Sequence, residues 1–277
     1  MKAFDEILTL ARFPEDAENE LRRLYAQTQA EPDTAALLLD TETRYFAGED
    51  TQAAREALAE RLACPSYTVD LLLLVACAPR LRERYRERGY TEEMFLGVLS
   101  DLRCKLIECQ RAFGVTGTFV FPWFFRFFDC TRFALGRLQY EPERCPFSYG
   151  ELLREGDPVL KCHIPSSGSL TAESVDDSLA RARAFFGDSY KGIVCHSWML
   201  YPPHRELFPE GSNLRRFYDR FEIVSQEPYE EPRDAWRVFH VMERDLSKLP
   251  QETSLQRNLL HYLSAGKQMG IAWGVLR

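Results

Sequence analysis

PVLKCHIPSSGSLTAESVDDSLARARAFFGDSYKGIVCHSWM, residues 158–199, decides the architecture. It opens on a short apolar run, Pro158 to Ile164, of strand length. A small polar loop follows, Pro165 to Thr171. Residues 172–186 then repeat apolar positions at helical spacing, Gly187-Asp188 stops the helix, and a second apolar run covers 190–199. Strand, helix and strand in this order form a βαβ unit, so its two strands are predicted to lie parallel with a right-handed crossover. Ligands of such units gather at the carboxyl ends of the strands. Here those ends carry His163-Ile164-Pro165 and Cys195-His196-Ser197-Trp198.

Outward from this unit the chain divides in two. On its N-terminal side strands are expected at 133–141 and 145–149, and on its C-terminal side at 221–226, 235–241 and 268–276. Helices are expected at 213–220 and 254–265, with Gly266 ending the second. Before residue 114 the pattern is helical throughout: Glu18 to Gln29, Thr34 to Phe46 capped by Asp33, Gln52 to Leu62 capped by Thr51, Tyr67 to Arg88, and Glu92 to Phe113 capped by Thr91. Gly114 and Gly117 punctuate the chain, and the aromatic cluster Phe119 to Phe128 reads as a short helix or loop. The expected fold class is α+β, with an all-helical domain at 1–117 followed by a mixed-sheet domain with flanking helices at 118–277.

Composition restricts the function classes. The formal net charge is −7, with 42 acidic against 35 basic residues, which disfavours nucleic acid as a partner. The arginines between Arg80 and Arg88 alternate with glutamates, as on a solvated, self-paired helix face. MKAFDEILTLARF has no signal-peptide pattern, and the longest apolar run, Leu71 to Pro79, is too short for a membrane span. The expectation is a cytoplasmic protein without a membrane partner, its eight cysteines reduced.

Three segments together resemble the GNAT-like C-terminal acyltransferase family: His163-Ile164-Pro165-x-x-Gly168-x-Leu170, Cys195-His196-Ser197-Trp198-Met199-Leu200, and Leu249-Pro250-x-x-Thr253-Ser254-Leu255-Gln256-Arg257. That family commonly follows a helical N-acyltransferase N-terminal domain, similar in length and character to the first half here. The resemblance implies a GNAT-like fold, acyl-CoA or acetyl-CoA as co-substrate, and transfer to a small-molecule acceptor, an amine or a similar nucleophile. It also implies that Ser166, Ser167, Gly168, Ser169 and Leu170, ahead of the helix at 172, hold the pyrophosphate on backbone amides, as helix N-termini hold anions generally. Arg257 is a further candidate for a CoA phosphate. The family signature Gln/Arg-x-x-Gly-x-Gly/Ala is altered in this loop, which has one glycine and no leading Gln or Arg.

The residues themselves suggest roles. His163 or His196 can serve as general base, since imidazole titrates near neutrality, or each can be a satisfied strand-end histidine. Cys195 is a candidate nucleophile or a small core residue. Successive strand residues point to opposite faces, so it cannot pair with His196, and His163 is its expected partner. The same alternation limits Cys162-His163 and Cys195-His196 to two ligands per face, too few for structural zinc, so no metal is expected. Tyr201 can protonate a departing thiolate or pack at the rim. Glu141 can orient an amine or end a strand in solvent. Two other readings remain beside the transferase: a non-catalytic binding or regulatory protein on the same scaffold, and a cysteine-dependent hydrolase or transferase.

Overall fold

The computed structural model describes all of residues 1–277. Two compact units divide the chain, Met1–Ala134 and Leu135–Arg277.

The first unit is helical: α1 (Lys2–Ala11), α2 (Glu15–Ala30), α3 (Pro32–Ala47), α4 (Gln52–Leu62), α5 (Ser66–Glu87), α6 (Glu92–Phe113) and α7 (Phe121–Phe128). α1 was not anticipated, although Phe4, Ile7, Leu8 and Ala11 recur at helical spacing and are all buried. Thr91 caps α6, its hydroxyl accepting from the Met94 amide, as expected. Neither Asp33 nor Thr51 acts as a side-chain cap: α3 starts with Pro32 at its first position, and the Thr51 side chain makes no capping bond. The aromatic cluster belongs to this unit. Tyr45 of α3 packs against Phe121, Phe125 and Phe128 of α7 at centroid distances of 5.0, 5.8 and 5.3 Å, so the compact units part after Ala134 and not at 117. No single helix is long and apolar enough to cross a membrane.

The second unit is built on a six-stranded mixed sheet, whose first strand spans the boundary at Ala134. Its elements are β1 (Phe133–Leu135), β2 (Leu138–Arg144), β3 (Pro158–His163), α8 (Ala172–Phe186), β4 (Ile193–Ser197), α9 (Asn213–Tyr218), β5 (Phe221–Pro228), α10 (Trp236–Phe239), α11 (Ser254–Ser264) and β6 (Gly270–Leu276). The strand order is β1-β2-β3-β4-β6-β5, with β3 and β4 parallel and β6 inserted antiparallel between β4 and β5. The α+β reading holds, and so does the parallel βαβ unit.

Four strand expectations are corrected. The single strand 133–141 is two, because Gly136 takes a positive φ of 70° and turns the chain between β1 and β2. The strand at 145–149 is a loop with one isolated bridge, Tyr149 to Leu153. The strand at 190–199 is shorter, and a 3-10 turn at Trp198–Leu200 ends it. In place of a strand at 235–241 stands the helical turn α10: the amides of Ala235 and Val238 bond the carbonyls of Pro232 and Ala235, and Pro232 starts the turn.

Candidate active site at the carboxyl rim of the parallel strands

Register decides which side chains meet. The β3–β4 ladder runs from Leu160↔Ile193 through Lys161↔Val194 to Cys162↔Cys195 and ends there. Partners across a ladder share a face, and alternate residues return to it. One face therefore carries Glu141 of β2, Lys161 and His163 of β3, His196 of β4, and Trp273 of β6, which pairs with His196. The opposite face carries Tyr140, Cys162 and Cys195 and is covered by α8, whose Ser178 Oγ lies 3.0 Å from the Tyr140 hydroxyl.

The two histidines thus arrive on one face where the two strands cease to pair. His163 Nε2 lies 2.9 Å from Glu141 Oε1, with the carboxylate side chain only 5% exposed. Glu141 is therefore a buried partner of the imidazole and no solvated strand end. The carboxylate fixes the orientation of the ring through Nε2. His196 stacks flat on Trp273, with centroids 4.3 Å apart and planes 6° apart. Burial first, and then the Lys161 ammonium, push its pKa below the ordinary imidazole range, so it stands neutral at neutral pH. Lys161 Nζ lies 5.2 Å from the Trp273 ring centre and 3.9 Å from Glu143.

Cys195 does not meet His163. Its register partner is Cys162, both are buried, and both face away from the histidines. The Cys162 thiol is pushed well up, first by its hydrogen bond with Cys195 and then by burial. The cysteine-nucleophile geometry is thereby corrected: strand alternation puts thiol and imidazole on opposite sides of the sheet.

Beside this rim starts α8, whose N-cap Thr171 accepts from the Ser174 amide. Ahead of it, Gly168 has φ of 137°, a conformation that side-chain-bearing residues rarely adopt, and a methyl group built there would meet nothing within 4 Å. Arg137, from the β1–β2 turn, donates to the carbonyls of Ser169 (3.1 Å) and Gly168 (2.7 Å), and Asn213 donates to Ser169 Oγ (2.7 Å). A guanidinium thus reaches the loop from a different hairpin, which sequence reading missed. Ser166, Ser167 and Leu170 complete this loop between β3 and α8. Arg257 lies elsewhere: it donates to the carbonyls of Gln251 (2.8 Å) and Glu252 (3.0 Å), tying down its own loop ahead of α11. Thr253 and Gln256 form a reciprocal capping box at that helix start, as its sequence suggests. Tyr201 is 8% exposed and packs edge-on against His204 at 4.9 Å.

Residues 133–276 match the GNAT-like C-terminal domain. The chain belongs to that family. Residues 2–130 match the N-acyltransferase N-terminal domain, so both domains occur in the expected order. Among solved structures, this GNAT-like protein is similar to an acyltransferase in complex with decanoyl-CoA and teicoplanin, at 24% identity and a TM-score of 0.76, covering 98% of this chain and 86% of that one. An acyltransferase mutant in complex with octanoyl-CoA gives 23% identity and a TM-score of 0.78, with the same coverage. An acyltransferase in complex with CoA and 10C-teicoplanin gives 24% and 0.77, again with the same coverage. At these identities the likeness establishes the GNAT-like fold. No curated protein matches the chain.

Lys161 and Trp273 were not singled out from the sequence. Lys161 had a signal, since it sits two residues from His163 and so shares its face. Trp273 had none, because β6 reaches β4 only through the strand order.

Proposed function

We propose that the chain transfers an acyl group from acyl-CoA to an amine, at the rim where His163 and His196 meet. The observation that carries this is the placement of both imidazoles on one face of two adjacent parallel strands, at the point where their ladder stops. The family membership and the acyl-CoA complexes of the similar structures support it.

The loop fits a pyrophosphate. Its position is the N-terminus of a 15-residue helix, where backbone amides and the helix dipole favour an anion. Open space over Gly168 admits an approaching group, and Arg137 places positive charge alongside. Ser166, Ser167, Gly168, Ser169 and Leu170 hold the phosphates in this reading.

The chemistry then follows from proton bookkeeping. The amine lone pair attacks the thioester carbonyl carbon, forming the C–N bond. His163 takes the ammonium proton, and Glu141, 2.9 Å from Nε2, stabilises the imidazolium. The C–S bond breaks, and Tyr201 gives its phenolic proton to the departing thiolate. Neutral His196, held against Trp273, contributes a second polar group at the reacting carbonyl. The acceptor is a small molecule bearing an amine, and the teicoplanin complexes make amine-bearing glycopeptides the first class to try. The cytosol is the compartment this reading assigns, where acyl-CoA is made and the eight free cysteines stay reduced.

Thermal unfolding with and without ligand tests the donor half. Binding to the native state must raise stability by RT ln(1 + [L]/Kd), about 2.7 kcal/mol at a hundredfold excess over Kd. Millimolar CoA, octanoyl-CoA and decanoyl-CoA that all leave the unfolding temperature unmoved would remove the proposal.

A further inference from the structure

β5 and β6 are joined by the long excursion 229–269. It leaves and returns at a single point: Pro228 pairs with Gly270, and the Tyr229 amide bonds the Met269 carbonyl at 2.7 Å. That point lies beside the carboxyl end of β4, because Ser197 pairs with Ala272 two residues further along β6. The excursion is therefore rooted beside the rim that carries His196, near enough for Asp234 and Arg233 to act on its imidazole.

Within the excursion is a pocket of about 460 Å³, inside the roughly 300–1,000 Å³ range of small-ligand sites. Ala235, Trp236, Val241, Met242, Leu249 and Leu263 line its walls. Its rim charges are of both signs, and two of them neutralise each other: Arg244 Nη2 lies 3.0 Å from Glu231 Oε2. Apolar walls suit an uncharged hydrocarbon chain better than a charged acceptor, whose ions would be desolvated without a partner.

We propose that this pocket receives the distal part of the donor's acyl chain and so sets its length. The inference rests on the acyl-CoA reading above and adds to it the place where the chain's distal methylenes are buried. Each methylene moved from water into an apolar pocket is worth up to about fourfold in affinity.

Calorimetric binding of acetyl-CoA and decanoyl-CoA, below micelle-forming concentrations, tests it without an acceptor. The wild-type chain is expected to bind decanoyl-CoA at least about tenfold more tightly than acetyl-CoA, a small part of what full burial of the chain would give. Ala235→Trp fills the pocket. Met242→Glu places a charge in its wall at a position 45% exposed, where folding tolerates it. Both are expected to bring the ratio below about threefold and to leave acetyl-CoA affinity unchanged. A wild-type ratio near one, or a tenfold ratio kept by Met242→Glu with native circular dichroism, overturns the pocket. Failure of the wild type to bind either thioester instead overturns the acyl-CoA reading on which it stands.

Discussion

At the level of single residues, the decisive contact is the bond between Glu141 and His163. A carboxylate buried to 5% exposure beside an imidazole both orients the ring and stabilises its charged form. Glu141→Gln and His163→Ala are each expected to lower the kcat of CoA release from decanoyl-CoA in the presence of an amine acceptor by about 10²–10⁴-fold, with little change in decanoyl-CoA affinity. Turnover at the wild-type level in both variants would remove His163 as the base. His196 gives a pH dependence of definite sign. Its folded pKa lies below the ordinary value, so above about 6.5 folded and unfolded chains both carry it neutral, and its contribution to stability is fully present. As pH falls from there through the folded pKa, the unfolded chain takes the proton first and that stability is lost. Denaturant melts from pH 7.5 to 5 should show a decline in stability that His196→Gln reduces. Buried His204, also pushed down by burial, adds a slope of the same sign, and Glu42 adds one of the opposite sign over the same range.

Among the elements, α3 carries a titration of opposite sense. Burial pushes the Glu42 carboxyl up to about 7, against the counter-pull of Arg80. A raised acid favours the folded state while protonated, so its stability is present below about 4.5 and is lost as pH rises towards 7. Glu42→Gln should therefore raise the unfolding temperature at pH 8 by about 2–4 °C and leave it unchanged at pH 4. β6 offers a second test. A methyl group on Gly270 would sit 2.6 Å from the Tyr201 ring and 2.6 Å from the Glu227 carbonyl. Gly270→Ala is expected to displace Tyr201, cost about 1–3 kcal/mol in denaturant unfolding and slow turnover. The elements differ in how well the sequence displayed them. β3, α8 and β4 were legible because a short apolar run, a helical period, a glycine stop and a second apolar run follow one another. α10 was not, since Ala235 to Val241 is a short apolar-rich segment of strand length and only the turn from Pro232 shows otherwise. The β1–β2 turn was hidden in the same way, because Gly136 interrupts an apolar run without shifting its average character. The pairing of Glu141 with His163 could not be read at all: it depends on the antiparallel register of β2 on β3, which no local pattern records.

Across the whole molecule, the order of two compact units was visible as a change from helical to strand periodicity, but its position was not. The aromatic run of α7 reads alike on either side, and only its rings against Tyr45 assign it to the helical unit. Donor binding is expected to be similarly partitioned. On adding decanoyl-CoA, slowed amide hydrogen exchange should concentrate at 166–172 and 193–198, with α1, α2 and α4 unaffected. Uniform protection over all 277 residues would contradict a donor site at the β3–β4 rim.

The flat stack of His196 on Trp273 makes the protein its own optical indicator. A protonated imidazole quenches indole emission far more strongly than a neutral one, so tryptophan fluorescence should dim as His196 takes up its proton. Subtracting the Trp273→Phe signal isolates that change from the other three indoles. Any molecule that wedges between the two rings or reorders the charges around them would report its arrival as light, with no label attached and no product to detect.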